Sequence, residues 1–169
     1  MDTVSRLLAM EEIRQLKARY FRLMDTRDYE AMAEVFCEDA VFDCSEGSSV
    51  TPVGGSTNGV VGPIVRNRDA IMAWIRSAFA HATCVHHGHC HEVTVDSDTE
   101  AHGVIAMEDR IRGLDRATPF MHAAGYYHER YRFENGAWRI AQTKLVRLFR
   151  DDLRAAGEHS SSRPAPTRS

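Results

Sequence analysis

The sequence predicts one α+β domain, a cone-shaped α+β barrel in which N-terminal helices pack on a curved, mostly antiparallel sheet. Three observations predict it. Apolar residues recur at helical spacing early in the chain, segments of β character separated by turns fill its second half, and the helices precede the strands instead of alternating with them. Because a curved sheet covered by helices encloses an interior, this architecture also predicts a small-molecule pocket.

The first predicted helix ends near Asp25. Asp28 can accept hydrogen bonds from the free amides of a helix start, so a second short helix is expected over 29–36. A third helix is expected from about Arg68. The first helix is predicted by apolar side chains at intervals near 3.6 residues, at Leu8, Ile13, Leu16, Tyr20 and Leu23.

A short strand is expected over 40–43. The Asn135-Gly136 pair is a strong hairpin signal, because both residues tolerate a positive φ angle. Further turns are expected at 96–98 and around Gly113. These turns divide the second half of the chain into an antiparallel meander of four strands, over 84–95, 101–112, 120–133 and 137–149.

Two segments lack periodic patterns. Residues 45–63 are rich in glycine and serine, which predicts a loop long enough to be functional or to serve as a lid. The C-terminal residues 155–169 end in SSSRPAPTRS and are expected to be disordered. We therefore assign the domain to residues 1–154.

The composition is that of an ordinary globular domain, with 43% hydrophobic and 27% charged residues. A net charge of −3 gives no concentrated basic surface for nucleic acid. No apolar run approaches the ~20 residues that span a bilayer, and acidic residues interrupt any signal-peptide core. We expect a cytoplasmic protein with reduced thiols at Cys37, Cys44, Cys84 and Cys90.

The segment from Cys84 to His91 contains four histidines and two cysteines, which raises the question of a metal. In a strand, successive side chains point to opposite faces. Ligands of zinc usually converge from separate elements, so we expect no metal and no other cofactor. The alternation predicts one face with His87, His89 and His91, and another with His86, Gly88 and Cys90.

We expect His86 to face inward, with Gly88 leaving room for a ligand beside it. Histidine titrates near neutral pH, so a buried one held by a carboxylate can act as a general base. Asp25 follows Phe21 and Met24, where a carboxylate needs a partner. The alternative, that Asp25 is a solvated turn residue, stays open on this pattern alone.

Three further residues are candidates for binding a substrate. Tyr126 and Tyr127 lie on the third long strand, and Arg147 lies on the last one. Arg147 has apolar neighbours, so it is either an inward clamp for a polar group or an outward, solvated side chain. Alternation alone does not decide between them without an anchored register.

The chain resembles SnoaL-like proteins of the nuclear transport factor 2-like superfamily over about residues 5–150. Members of that superfamily have a cone-shaped α+β fold, which agrees with the fold predicted from the patterns. Four segments carry the resemblance: EIRQLKARYFRLMD from Glu12 to Asp25, HHGH from His86, AMEDR from Ala106, and GAWRI from Gly136.

Within the superfamily the resemblance is closest to bile-acid dehydratase, and the chain is also similar to scytalone dehydratase and hexachlorocyclohexane dehydrochlorinase. It implies that Asp25 and His86 form a catalytic dyad, that Tyr20 and Arg147 are active-site residues, and that the protein is a homotrimer, with a dimer as the alternative. The loop 45–63 has no clear counterpart in those enzymes. The resemblance therefore does not identify the substrate of this protein.

The resemblance therefore implies a cofactor-free carbon–oxygen lyase, a dehydratase that acts on a hydrophobic cyclic or polycyclic hydroxylated compound, such as a steroid-like or polyketide-like molecule. One alternative is a polyketide-type cyclase or ketosteroid-type isomerase that uses the same dyad. Another is a protein that binds a small molecule without chemistry, because the fold alone proves no activity.

Overall fold

The computed structural model describes residues 1–47, 61–114 and 120–153. Within them the chain forms three helices and six strands. In chain order these are α1 (Thr3–Thr26), α2 (Tyr29–Ala33), β1 (Phe36–Asp43), β2 (Ile64–Arg66), α3 (Arg68–Ala78), β3 (Ala82–Val95), β4 (Glu100–Gly113), β5 (Phe120–Glu134) and β6 (Ala137–Leu153). The predicted tail 155–169 and most of the predicted loop 45–63 lie outside the described residues.

Helix α1 begins at a side-chain cap and ends at a left-handed residue. The Asp2 carboxylate accepts a hydrogen bond of 2.8 Å from the Ser5 amide, which satisfies one free donor of the first turn. The helix ends at Arg27, which has a φ of 59°. Asp25 therefore lies in the last turn of α1, at the end of the helix where the sequence analysis places it.

Helix α2 is shorter than predicted. Asp28 caps it as expected, accepting a hydrogen bond of 3.1 Å from the Ala31 amide. The chain then enters β1 at Phe36, which pairs with Ile140 of β6. The sequence pattern predicted a helix up to residue 36, but this long-range pairing places Phe36 in a strand.

The sheet is mixed and open, with the strand order β2-β1-β6-β5-β4-β3. Strands β3 to β6 form the predicted antiparallel meander, and the β5–β6 turn has positive φ angles at Asn135 and Gly136, of 52° and 77°. Strand β1 runs parallel to β6, and β2, which was not predicted, pairs with β1. The meander was thus predicted, but the parallel pair was not.

A bulge interrupts β3. Its pairing with β4 shifts between Gly88 and His91, and one extra residue reverses the alternation of side chains beyond that point. His91 therefore joins the inner face and is half-buried, whereas Cys90 is exposed. The expectations that Cys90 shares a face with His86, and His91 with His87, were wrong for this reason.

The core lies between α1, α3 and the inner face of the sheet. Among the described residues, no helix has the length and apolar character that a membrane crossing requires. All four cysteines are free thiols. The largest apolar side chains that are fully buried include Tyr20, Phe36, Ile71, Ile75, Ile105, Met107, Tyr131 and Ile140.

Candidate active site

Asp25 and His86 are joined by two hydrogen bonds. The His86 Nδ1 atom lies 2.7 Å from Asp25 Oδ1, and the His86 amide donates to Asp25 Oδ2 at 2.9 Å. One carboxylate thus fixes both the ring and the backbone of the same histidine. Because Nδ1 is engaged, Nε2 is the nitrogen that remains for exchanging a proton with a ligand.

Aromatic rings hold the His86 imidazole in place. The Phe21 ring stacks on it with a centroid distance of 6.3 Å, and the Phe79 ring meets it edge-on at 6.2 Å. A Cβ atom on Gly88 would lie 2.3 Å from the Phe21 ring. Gly88 therefore leaves room for Phe21 and not, as the sequence analysis expected, for a ligand.

His86 opens onto a cavity of about 210 Å³ between α1, α3 and the sheet. Small-molecule sites typically combine an apolar wall with a few polar groups that point inward, and the lining of this cavity has both. The polar lining residues are Tyr20, His86, Asp109, Tyr127 and Arg147. The apolar wall includes Phe42, Trp74, Phe79, Ile111, Met121 and Leu145.

A buried ion pair lines the same cavity. Arg147 donates through Nη2 to Asp109 Oδ2 and through Nη1 to the Gly47 carbonyl at 2.5 Å, so the side chain points inward. Two atoms of the pair, Asp109 Oδ1 and Arg147 Nε, are buried without a partner in the described part of the protein. Buried polar atoms are normally hydrogen-bonded, so these two atoms depart from the general rule.

The sequence analysis missed Asp109 as a site residue. A signal was present, because β4 buries alternate residues and Asp109 continues the inward set that contains Ile105 and Met107. A carboxylate at an inward position requires a partner. Arg147 is that partner, but it lies 38 positions further along the chain.

Two of the three tyrosines that were predicted to be site residues lie at the cavity. Tyr20 and Tyr127 line the cavity, and the Tyr20 hydroxyl is a third buried atom without a partner in the described ranges. Burial raises the pKa of both phenols well above the ordinary value, so both are donors at neutral pH. Tyr126 is 37% exposed, on the outer face, because successive strand residues alternate.

Asp25, Cys84 and His86 offer three ligand atoms within 4.8 Å of one another. This set differs from the histidine cluster considered in the sequence analysis. Burial raises the pKa of the Cys84 thiol to about 12, and the Asp25 carboxylate already accepts two hydrogen bonds from His86. In this structure Asp25 and His86 form a hydrogen-bonded pair with the Cys84 thiol beside it.

A second polar cluster lies behind the cavity wall. Lys17 of α1 is fully buried, and its Nζ atom lies 2.6 Å from Glu129 Oε1. Glu129 also accepts hydrogen bonds from Tyr131 and Thr143. The sequence analysis missed this cluster too, although Lys17 stands in the buried stripe of α1, four residues after Ile13 and four before Phe21.

Comparison with known proteins places this geometry in a family. Residues 5–144 match the SnoaL-like domain. The chain belongs to the SnoaL-like family. The predicted family is thereby confirmed, and the site residues named above lie within the match apart from Leu145 and Arg147, which follow its end.

Solved structures share the SnoaL-like fold at low identity. A protein provisionally assigned as a scytalone dehydratase from Novosphingobium aromaticivorans is 19% identical, with a TM-score of 0.72, and the match covers 97% of this chain and 100% of that chain. A hexachlorocyclohexane dehydrochlorinase from Novosphingobium barchaimii is 15% identical, with a TM-score of 0.71 and coverages of 94% and 98%.

A third structure, provisionally assigned as an aromatic ring hydroxylase from Novosphingobium aromaticivorans, is 22% identical, with a TM-score of 0.70. The match covers 88% of this chain and 93% of that chain. At such identities the likeness establishes the fold, and the predicted cone of N-terminal helices on a curved sheet is confirmed. Similarity to the folds of a dehydratase and a dehydrochlorinase is also confirmed.

Proposed function

We propose that this SnoaL-like protein is a cofactor-free lyase, a dehydratase that eliminates water from a hydrophobic cyclic or polycyclic hydroxylated molecule. One observation carries the proposal: a histidine fixed by a carboxylate lines an apolar cavity, and three other lining residues carry buried polar atoms that have no partner among the described residues. A pocket that only binds a ligand has no need of such a base.

His86 is the proposed base. Its Nε2 atom takes a proton from a carbon next to a carbonyl, and the electron pair of that bond forms the new double bond as the β carbon–oxygen bond breaks. His86 returns the proton to the departing oxygen, which leaves as water. Asp25 holds the tautomer that carries the proton on Nδ1 and stabilises the imidazolium.

Tyr20 and the buried ion pair are proposed to orient the substrate. The Tyr20 hydroxyl donates to the carbonyl oxygen, where negative charge develops. Arg147 Nε is a donor and Asp109 Oδ1 an acceptor, and both lack partners among the described residues. A second hydroxyl group on the substrate satisfies both atoms, because a hydroxyl accepts one hydrogen bond and donates another. Tyr127 contributes part of the wall.

The substrate class follows from resemblance and from the apolar lining. Two proteins of the same fold are named for enzymes that catalyse eliminations. One is provisionally assigned as a scytalone dehydratase, and the other is a hexachlorocyclohexane dehydrochlorinase. We place the protein nearest to bile-acid dehydratase among such enzymes and propose steroid-like or polyketide-like substrates in the cytoplasm.

We also propose a homotrimer. Large apolar side chains stand on the outer face of the sheet, where Val85 is 42%, Tyr126 37% and Leu148 56% exposed. Contiguous exposed apolar patches usually mark an interface between subunits, and we propose that these side chains contribute to one. Light scattering at micromolar concentration tests this proposal, and a monomer would contradict it.

The test of the activity is incubation with hydroxylated steroid and polyketide candidates, followed by mass spectrometry. A dehydratase yields a product lighter by one water. A product of unchanged mass and altered retention indicates an isomerase or cyclase instead. A ligand that binds and is recovered intact indicates a binding protein, and either result overturns the proposal.

Matched tyrosine variants sharpen this test. Tyr20→Phe removes the cavity hydroxyl and should lower kcat about ten- to a hundredfold, the effect of one hydrogen bond to developing charge. Tyr126→Phe removes a hydroxyl from the outer face and should leave kcat unchanged. Equal rates in the two variants would remove Tyr20 from the mechanism.

A further inference from the structure

We infer that Lys17 is a positioning residue, whose buried ammonium strengthens Tyr20 as a hydrogen-bond donor to the substrate oxygen. The inference rests on the proposed role of Tyr20. Lys17 has no exposed surface, and a lysine is almost never fully buried unless it is paired. Its place in the middle of the core therefore requires an explanation.

The Lys17 ammonium is held by an ionised partner. Glu129 accepts three hydrogen bonds, from Lys17 Nζ at 2.6 Å, Tyr131 Oη at 2.6 Å and Thr143 Oγ1 at 2.8 Å. A nitrogen–oxygen distance of 2.6 Å between two fully buried side chains is the geometry of a charge-assisted ion pair. Burial lowers the pKa of Lys17, and the Glu129 charge opposes that effect. The pair therefore consists of an ammonium and a carboxylate.

The ammonium also contacts the rings that form the cavity wall. Lys17 Nζ lies 3.7 Å from the centroid of the Tyr127 ring and 3.9 Å from that of Tyr20. It lies 4.9 Å from the centroid of Phe21, the ring that stacks on His86. The positive end of the ion pair is thus the end that touches the residues around the reacting atoms.

A cation against the face of a phenol ring is attracted to its electrons, and a nearby positive charge favours the anionic form of an acid. Burial and the Glu129 charge raise the pKa of Tyr20, and the ammonium against its ring opposes the effect of that charge on the hydroxyl, which has no partner among the described residues. This is what a donor to a developing oxyanion requires, because the bond must strengthen as charge builds up.

A purely structural role explains less. Replacing both members of a buried ion pair with uncharged residues is often neutral or stabilising, so packing alone does not demand a charge here. In Lys17→Met/Glu129→Gln the amide oxygen can accept a hydrogen bond from one of Tyr131 and Thr143, and the amide NH2 can donate to the hydroxyl of the other, because a hydroxyl also accepts. This double variant therefore removes the charges and leaves the fold in place for measurement.

The experiment measures binding of 4-nitrophenol, whose phenolate mimics the enolate oxygen and absorbs differently from the phenol. We expect the double variant to bind the phenolate about tenfold more weakly, within the range of a desolvated cation–π contact. Binding of the neutral phenol should not change. In a Tyr20→Phe background the same two substitutions should cause no further loss of affinity.

Lys144→Met is the matched control, because it removes a partly exposed lysine whose Nζ lies 2.5 Å from Glu46 and should not affect phenolate binding. If the double variant weakens binding equally in the Tyr20→Phe background, Lys17 acts only through packing and the inference is wrong. If only Tyr20→Phe weakens binding, the inference is wrong and the proposed function stands. If Tyr20→Phe has no effect, the roles of Tyr20 and Lys17 both fail, while loss of water still tests His86.

Discussion

Two buried ion pairs of this protein, Lys17–Glu129 and Asp109–Arg147, have different surroundings. Glu129 is surrounded by donors from α1, β5 and β6, and the ammonium of Lys17 is covered by aromatic rings. In contrast, Asp109 and Arg147 line the cavity, and Asp109 Oδ1 and Arg147 Nε are buried without a partner in the described part of the chain.

This difference distinguishes the Lys17–Glu129 pair, which supports the cavity wall, from the Asp109–Arg147 pair, which can bind a ligand. An unpaired polar atom inside a protein is costly, so a fold that retains such atoms next to a cavity offers them to a ligand. In the Lys17–Glu129 pair every charged atom has a hydrogen-bond partner, and aromatic rings cover the ammonium, so the pair can act only on its neighbours. Satisfaction of hydrogen bonds, and not burial or charge alone, distinguishes the two clusters.

The largest effect on activity is expected on the cavity side of this comparison. His86→Ala should lower kcat about 10²–10⁴-fold, the usual contribution of a general base, and leave ligand affinity largely intact. Asp25→Asn should lower kcat similarly by favouring the wrong tautomer. The double variant should lose no more than either single one. Single-turnover kinetics measure this, and a fully active Asp25→Asn variant would contradict it.

The next prediction concerns variants that remove the cationic member of each ion pair, Lys17 or Arg147. Lys17→Met should lower the free energy of unfolding by about 3–5 kcal/mol, because it leaves a buried charge without compensation. Arg147→Met should lower it less, by roughly 1–3 kcal/mol, because Arg147 lines the cavity and water from the cavity can occupy the space that the guanidinium leaves beside Asp109. Urea unfolding of both variants measures the difference. Equal losses would show that the cavity does not distinguish the two carboxylates.

Phe21 touches both regions, since it faces Lys17 and stacks on His86. Gly88→Ala should displace its ring, lower stability by about 1–3 kcal/mol through overpacking and lower kcat as well. Gly136→Ala is the control, because it has open space but a φ of 77°. It should lower stability by about 1–2 kcal/mol with no change in kcat. Normal activity of Gly88→Ala would contradict this role of Phe21.

The smallest effect is expected on the outer face of β3. His89 is more than half exposed, and its Nε2 atom lies 3.9 Å from Glu108. Such surface pairs contribute about 0–1 kcal/mol, so His89→Ala should retain stability and activity. Loss of turnover in His89→Ala with normal turnover in His86→Ala would show that the two histidines have been assigned to the wrong faces.

The sequence by itself determined the local elements. The apolar stripe of α1, the Asp28 cap and the Asn135-Gly136 turn are patterns of short range, and each produced the element that it predicts. The resemblance selected Asp25 and His86, which the fold brings into contact. These features depend on residues that are close in sequence or on a recognised family pattern.

Only the tertiary structure decided which side chains meet in the interior. The bulge in β3, the parallel pairing of β1 with β6 and the inward direction of Arg147 depend on strand register, because a shift of one residue moves a side chain to the other face. Asp109 and Lys17 found their partners, Arg147 and Glu129, at separations of 38 and 112 residues. No local pattern encodes such pairs, since folding of the whole sheet brings them together.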